Sequence, residues 1–309
     1  MRIATFNVQN LRLRRPQGRA RLDGARDGDL PRHVGPGAAA LDYADRRLTA
    51  RVIADADADI VCLQEVFDAA TLDYFHDHLL RHAGACYPHR VCLPGNDGRG
   101  RDLAVMSRRP LDEVASHAAL TPADLGLEPP AGLRADFPVF RRDCLLARVG
   151  ALTLFLCHFK APYPDPEAAW PVRRLEALAV RRLVERRFAA APEGLWLILG
   201  DLNEPHAPQG ERAIAPLVDG FAVDLLARLP AEKRWSFHDR DGGFYSRPDA
   251  MLASPALARR WSDARPRVLR EGLSRAAMRH DGARLEDVGE ERPHASDHAA
   301  MVLDLDGLA

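Results

Sequence analysis

Lysine is nearly missing from this chain. Lys160 and Lys233 are the only two, and arginine carries almost all the positive charge. Such a bias fits genome composition better than function. Net charge is missing too: the formal value is −1, so no whole-molecule field marks a nucleic-acid coat protein. A local basic rim would still serve a nucleic-acid substrate. No apolar run approaches the roughly 20 residues of a membrane span. The N-terminus, MRIATFNVQNL, has no long apolar h-region and no cleavage signal. Cysteines are few and odd in number: Cys62, Cys86, Cys92, Cys144 and Cys157, with no CxxC pair. That excludes a zinc knuckle and argues against a disulfide framework. Cys62 and Cys157 lie in apolar runs, where a thiol behaves as a small hydrophobe. These absences predict a soluble, cytoplasmic protein with reduced thiols. No linker or low-complexity block interrupts the chain, so one domain over 1–309 is expected. Nothing in it calls for an obligate protein partner.

What is present is a mixture of strands and helices. Residues 2–8 predict a strand, followed by an Arg-, Gly-, Asp- and Pro-rich stretch without apolar period, expected to be a long loop over 12–37. Leu41, Leu48, Val52 and Ile53 recur at helical spacing, and DIVCLQEV then reads as a buried strand. A second amphipathic helix, ATLDYFHDHLLRHAG, precedes a strand near 86–92, and GNDGRGR forms a loop. DLAVMSRRP is a strand ended by Pro110, and residues 121–139 should be irregular. DCLLARVGALTLFLCHF gives two strands about Gly150, and PVRRLEALAVRRLVERRFAAA a strong helix whose arginines, Arg173 and Arg174 among them, form a solvated face. LWLILG is a buried strand. A short helix near 209–218, a strand near 221–224, the run YSRPDAMLAS and a final strand in HASDHAAMVLDL complete the chain, with 256–295 charged and poorly periodic. Strand pairs with short turns beside strand–helix alternation argue for mixed sheets in an α/β or α+β arrangement.

The polar residues fall at the ends of these strands: Asn7, Glu65, His158, Asp201 with Asn203, Asp249, and Asp297 with His298. Strand ends on a rigid sheet are where catalytic groups are commonly carried. Glu65, Asp297 and Asn7 are hard oxygen ligands of the kind that suits Mg2+ or Mn2+. A divalent ion stabilises the charge of a phosphoryl transition state, and an imidazole beside a carboxylate can act as a general base. The combination suits hydrolysis of a phosphate ester.

TFNVQNL, DIVCLQEV, DLAVMSR, LCHFKA, GDLNEP, RPDAML and SDHAAMVL resemble, in order from Asn7 to Leu303, the motifs of the endonuclease/exonuclease/phosphatase superfamily. The resemblance implies a four-layer αββα sandwich, with two mixed β-sheets face to face, helices outside and the active site at one edge. It also implies roles. Glu65 is similar to the principal metal-binding glutamate, with Asn7 beside it and Asp297 as a further metal contact. Asp201 matches the residue that positions or activates water, and Asn203 the one that orients the scissile phosphate. His298 matches the terminal histidine and Asp249 its orienting carboxylate. His158 places the chain with the DNase I-like branch, where it is expected to pair with Asp102, and Arg142, or alternatively Arg141, is expected to contact substrate phosphate. Gln9 stands where some relatives have an Asp, which favours one metal ion over two.

The expected activity is a Mg2+- or Mn2+-dependent phosphodiesterase acting on nucleic acid. The alternative is a phosphatase or phospholipid-type phosphodiesterase acting on small phosphate esters or lipid head groups. A non-catalytic binding protein fits less well, since it need keep none of these residues. Arg12, Arg14, Arg15, Arg19 and Arg21 follow Asn7 and are equally suited to gripping phosphate or to a solvated loop. Lys160 either steers substrate or merely snorkels.

Overall fold

The computed structural model describes residues 1–15, 18–26, 35–204, 211–240 and 242–308. In chain order, β1 (Arg2–Leu11) runs into a small ribbon, β2 (Leu13–Arg14) and β3 (Arg21–Leu22). Helix α1 (Pro36–Ala56) leads to β4 (Ile60–Val66), and α2 (Ala69–Phe75), extended by a π-turn, leads to β5 (His89–Leu93) and β6 (Asp102–Ser107). After β7 (Glu113–Ala115) and the short α3 (Pro122–Leu125) come β8 (Cys144–Val149) and β9 (Leu152–His158). Helix α4 (Pro166–Phe188) precedes β10 (Leu195–Asp201), α5 (Ala215–Val218) and β11 (Val223–Asp224). A hairpin of β12 (Phe237–Asp239) and β13 (Phe244–Ser246) leads to β14 (Asp249–Ala253), α6 (Pro255–Arg260), β15 (Arg267–Leu269) and β16 (Ala300–Asp304).

Two six-stranded sheets result, in the orders β15-β16-β1-β4-β6-β5 and β11-β14-β10-β9-β8-β7. Both are mixed, since β1/β4 and β9/β10 are parallel while their outer neighbours are antiparallel. Successive side chains alternate across a strand. Ile3, Ile60, Cys62, Leu103 and Val105 of the first sheet therefore meet Leu154, Leu156, Leu197, Leu199 and Met251 of the second in one inter-sheet core. Each such leucine contributes about 1.5–3 kcal/mol on burial. The other face of the first sheet, with Phe6, Val61 and Leu63, packs on Val52, Ile53 and Phe75 of α1 and α2. Phe155, Trp196 and Ile198 on the other face of the second sheet pack on Leu175, Val180 and Val184 of α4. The order helix, sheet, sheet, helix is the four-layer sandwich expected of the sequence.

Several local expectations are corrected. The Arg-rich stretch is not all loop, because Leu13 and Arg14 pair with Leu22 and Arg21. The poorly periodic stretch 256–295 holds β15, which completes the first sheet by pairing with β16. The 237–246 hairpin was invisible as a period because each strand has three residues. The short helix covers Ala215–Val218; residues 205–210 of the expected span lie outside those described. On α1, Leu41 is exposed, while Asp42, Asp45, Arg46 and Thr49 are buried. On α4, Arg173 is buried rather than solvated, and its Nη1 donates to Lys160 O at 3.0 Å.

Candidate active site

The strand period carries the inward-facing core straight into the site. Residues 197 and 199 of β10 point between the sheets, so Asp201 does too. The same count takes Leu154 and Leu156 to His158, and Met251 to Asp249. Register then aligns them: Asp201 is the cross-strand partner of both His158 and Asp249. One row of three polar side chains closes the end of the second sheet.

Asp201 is the hub of that row. Asn7 Nδ2, from the facing sheet, donates to its Oδ2 at 3.0 Å, and the Asn203 backbone N–H donates to its Oδ1 at 2.9 Å. His158 Nε2 lies 3.5 Å and His298 Nε2 3.8 Å from Asp201 Oδ2. His298 Nδ1 is held at 2.9 Å by Asp249 Oδ2, which also accepts from Ser236 Oγ at 2.6 Å. The Phe237 ring packs on the His298 ring with centroids 4.7 Å apart.

Glu65 reaches the site differently. Strand period alone would put it with Leu63, against the outer helices. The β4–β6 register slips between Gln64 and Val66, and Glu65 takes φ 67°. This bulge re-aims one side chain. A matching irregularity ends β1, where Gln9 and Asn10 have φ 48° and 57°. It turns the Asn10 N–H onto Glu65 Oε2 at 2.9 Å, while Asn7 Nδ2 stands 3.5 Å from Glu65 Oε1. Asn203, at φ 50°, makes a third such turn and ties its side-chain amide to Phe159 O at 3.0 Å. Non-glycine residues in this region are held only where surroundings over-determine them, commonly at functional sites.

Neighbouring charges set the two buried histidines apart. His158 is pushed well below its ordinary pKa by burial and then by Arg142, so it is neutral. For His298, burial works against charge, but Asp249, Asp201 and Asp297 outweigh it and hold the ring protonated. Burial lifts the Asp201 carboxyl to about 6, with Asp249 adding to the rise and His298 opposing it. Titratable groups driven apart in this way mark acid and base assignments.

Not every expected contact forms. Asp102 Oδ1 accepts from the Gly95 N–H at 2.8 Å, and His158 Nδ1 is buried without a hydrogen-bond partner among the described residues. The expected His158–Asp102 pair is therefore absent: Asp102 is taken by the 95–101 loop. Arg142 is buried, donating from Nη1 to Phe159 O at 2.8 Å with Nε 3.2 Å from Asp97, so it braces the loop beside His158. Arg141 stacks over Phe137. Lys160 Nζ donates to Ala161 O and Tyr163 O, which anchors the loop after β9. The Asp297 N–H donates to Gln9 Oε1 at 3.2 Å, so Gln9 supports the Ser-Asp-His segment. Asn10, Ser236 and Phe237 were missed by sequence reasoning, since no period or motif singles them out.

The Asn7 amide NH2 stands between two carboxylates, Glu65 and Asp201, while its Oδ1 accepts from the Gln9 N–H at 3.0 Å; the two carboxylates are hard oxygen donors of the kind a divalent ion requires. Asp201, Asp249 and His298 also bring one potential ligand atom each within 4.8 Å of one another.

Fold and site together define a phosphoester hydrolase. The chain belongs to the Endonuclease/Exonuclease/phosphatase family, whose match spans residues 4–298. Solved structures with the same fold include a truncated TDP2 from Caenorhabditis elegans, at 15% identity and TM-score 0.57, covering 98% of this chain and 95% of that one. An AP endonuclease from Archaeoglobus fulgidus is similar at 17% identity and TM-score 0.56, with 99% of each chain covered. A mannosyl-6-phosphatase from Bacteroides thetaiotaomicron is similar at 16% identity and TM-score 0.59, with 98% of each covered. No curated protein sequence matches the chain. No helix among the described residues is long and apolar enough to cross a membrane.

Proposed function

We propose that this chain is a divalent-metal-dependent phosphodiesterase that hydrolyses nucleic-acid phosphodiester bonds, with Mg2+ or Mn2+ as the ion. The observation that carries the proposal is the row His158–Asp201–Asp249, closed by His298 and faced across the sheet edge by Asn7 and Glu65. Glu65 and Asn7, with Asp297, would hold the ion, which supplies charge stabilisation to the phosphoryl transition state. Gln9 Oε1 is engaged by Asp297, which favours a single ion.

The chain's own residues account for the proton transfers. Asp201 orients a water and takes its proton as the water oxygen bonds to phosphorus. Charged His298, steadied by Asp249, gives its Nε2 proton to the ester oxygen as the P–O bond breaks. Asp201 and His298 then return to their starting states as Asp201 releases its proton to solvent and His298 takes one up. Neutral His158 donates its N–H to a phosphoryl oxygen, and Asn203 orients the phosphate. A positioned acid or base of this kind contributes about 10²–10⁴-fold.

A polyanionic strand is favoured over a small ester because the site opens beside a cleft lined by arginines. The five cysteines, all unpaired, support a reducing, cytoplasmic setting. The test is plasmid nicking with Mg2+ or Mn2+, with EDTA and Asp201→Asn as controls. Metal-dependent nicking lost in the variant is expected. A folded protein that binds Mn2+ and leaves the plasmid intact would redirect the assignment to small phosphate esters.

A further inference from the structure

The cleft beside Glu65 has a volume of about 380 Å3, and its walls come from three separated segments. Arg12, Arg14 and Arg26 come from the stretch after β1, Arg99 and Arg101 from the loop before β6, and Phe67 from the end of β4. Five guanidinium groups and one carboxylate, Asp23, line the cleft, with Asp42, Asp97 and Glu65 behind Arg26, Arg99 and Arg101, which leaves cations in excess by one. Such a surplus of positive charge in a concave wall focuses the field on an anion.

The arginines are arranged in two kinds. Arg14 and Arg26 are posts fixed by carboxylates: Arg14 Nε is 2.7 Å from Asp23 Oδ2, and Arg26 Nε is 3.1 Å from buried Asp42. Arg12 and Arg99 stand at the solvent rim, with Arg12 stacked over Phe67 at 5.2 Å and the Arg99 side chain 67% exposed and only loosely paired, its Nε 3.7 Å from Asp97 Oδ1. Arg101 links cleft and site: its Nε donates to Asn10 Oδ1 at 2.7 Å and lies 3.7 Å from Glu65 Oε2. An anion in the cleft is therefore next to the phosphate being cleaved. Asp23 Oδ1 is buried with no hydrogen-bond partner among the described residues, an acceptor suited to a ligand hydroxyl. Phosphate together with hydroxyl is the chemistry of a sugar phosphate.

We propose that this cleft is a second phosphate subsite, which grips a phosphate neighbouring the scissile one and so selects substrates that carry two. The proposal rests on the phosphodiesterase reading above for its kinetic test, but not for its binding test. Arg forks bind phosphate bidentately, and the two rim arginines sit where they can close on it.

The test uses Arg12→Gln/Arg99→Gln in the full chain, with folding checked by thermal melt. The readout is kcat/KM for TpTpT and for pTpT, each divided by that for TpT, which has no second phosphate. The expected result is a fall of about tenfold in the TpTpT ratio. A ratio that stays within threefold overturns the subsite, whether or not both rates drop. A fall in the TpTpT ratio alone identifies the ligand as an internal strand phosphate, and an equal or larger fall with pTpT as a terminal one. If the parent cleaves none of the three, plasmid nicking alone decides the phosphodiesterase reading and the subsite is judged by calorimetry with sodium pyrophosphate in EDTA. Binding weakened about tenfold by the double variant keeps the subsite, and equal binding in parent and variant overturns it.

Discussion

Two of the places where charge is buried in this molecule are built on opposite rules. Under α1, Arg46 is wholly buried, and all five of its N–H bonds are spent: on the carbonyls of Val8, Gln9, Asp23 and Gly24 and on Thr49 Oγ1. Asp42 is held by Arg26 and Arg292, and Asp45 by Arg292 and the N–H groups of Ala25 and His294. At the sheet edge the polar groups stay under-satisfied. His158 Nδ1 has no partner among the described residues, and Asp201 sits beside Asp249 with its carboxyl raised to about 6 by burial and by that neighbour. A closed network resists change, since removing one partner strands the rest. An open one stores unfavourable energy that a substrate or ion can relieve. The two are joined, because the α1 network grips the β1 end that carries Asn7 and Asn10, and the 292–295 segment that leads to Asp297 and His298.

The contrast is sharpest where activity and stability should separate. Asp201→Asn should lower turnover by about 10³-fold while leaving the melting temperature equal or higher. Its stability also has a pH signature. A carboxyl raised from 3.8 to about 6 in the folded state costs stability as pH climbs through that window. The variant's advantage over the parent should therefore be absent below pH 4 and full above about pH 6. Denaturant melts at pH 3.5 and 7 read it, and an advantage that shrinks with rising pH would break the comparison.

The next largest effect is the converse. Arg46→Met should destabilise by about 3–5 kcal/mol, because it strands four buried carbonyls and removes the buried charge beside Asp45, Asp23 and Asp42. Urea melts measure it, and a loss under about 1 kcal/mol would show the network is not closed. Gly24→Ala is milder in chemistry but sterically blocked, since a Cβ there would lie 2.5 Å from Asp42 Oδ1 and 2.5 Å from Asp45 Oδ2. It should cost about 1–3 kcal/mol and loosen metal affinity through the β1 end, read by Mn2+ titration. The smallest effect is expected for Asp102→Asn. With its carboxylate on the Gly95 N–H rather than on His158, kcat should change by less than about tenfold, below the usual span for an acid or base. A thousandfold loss would return Asp102 to the catalytic set.

Much of this was legible beforehand, and the legible part has one cause. Side chains alternate with a period of two along any strand, so Leu197, Leu199 and Asp201 share a face wherever the strand lies, as do Leu154, Leu156 and His158. The layered α/β architecture followed from the same periodicities and from the family motifs. Asp102, Arg142 and Arg173 show where that logic stops. Asp102 and Arg142 were matched through the family motifs and Arg173 through its helix; in the fold Gly95 engages Asp102, Asp97 and Phe159 engage Arg142, and Lys160 and Glu204 engage Arg173.

By itself the sequence determined which residues face inward on straight strands, and hence that Asn7, His158, Asp201 and Asp249 would each share the face of the apolar residues before or after them, while register brought them to one edge. Only the tertiary structure decided that Glu65 turns through a bulge into that edge, against its own alternation. It also decided that Arg99 and Arg101 join Arg12, Arg14 and Arg26 in one cleft. The physical reason is the same for both. A positive φ, a register slip and a convergence of loops are enforced by contacts between segments far apart in the chain, and no local pattern records them.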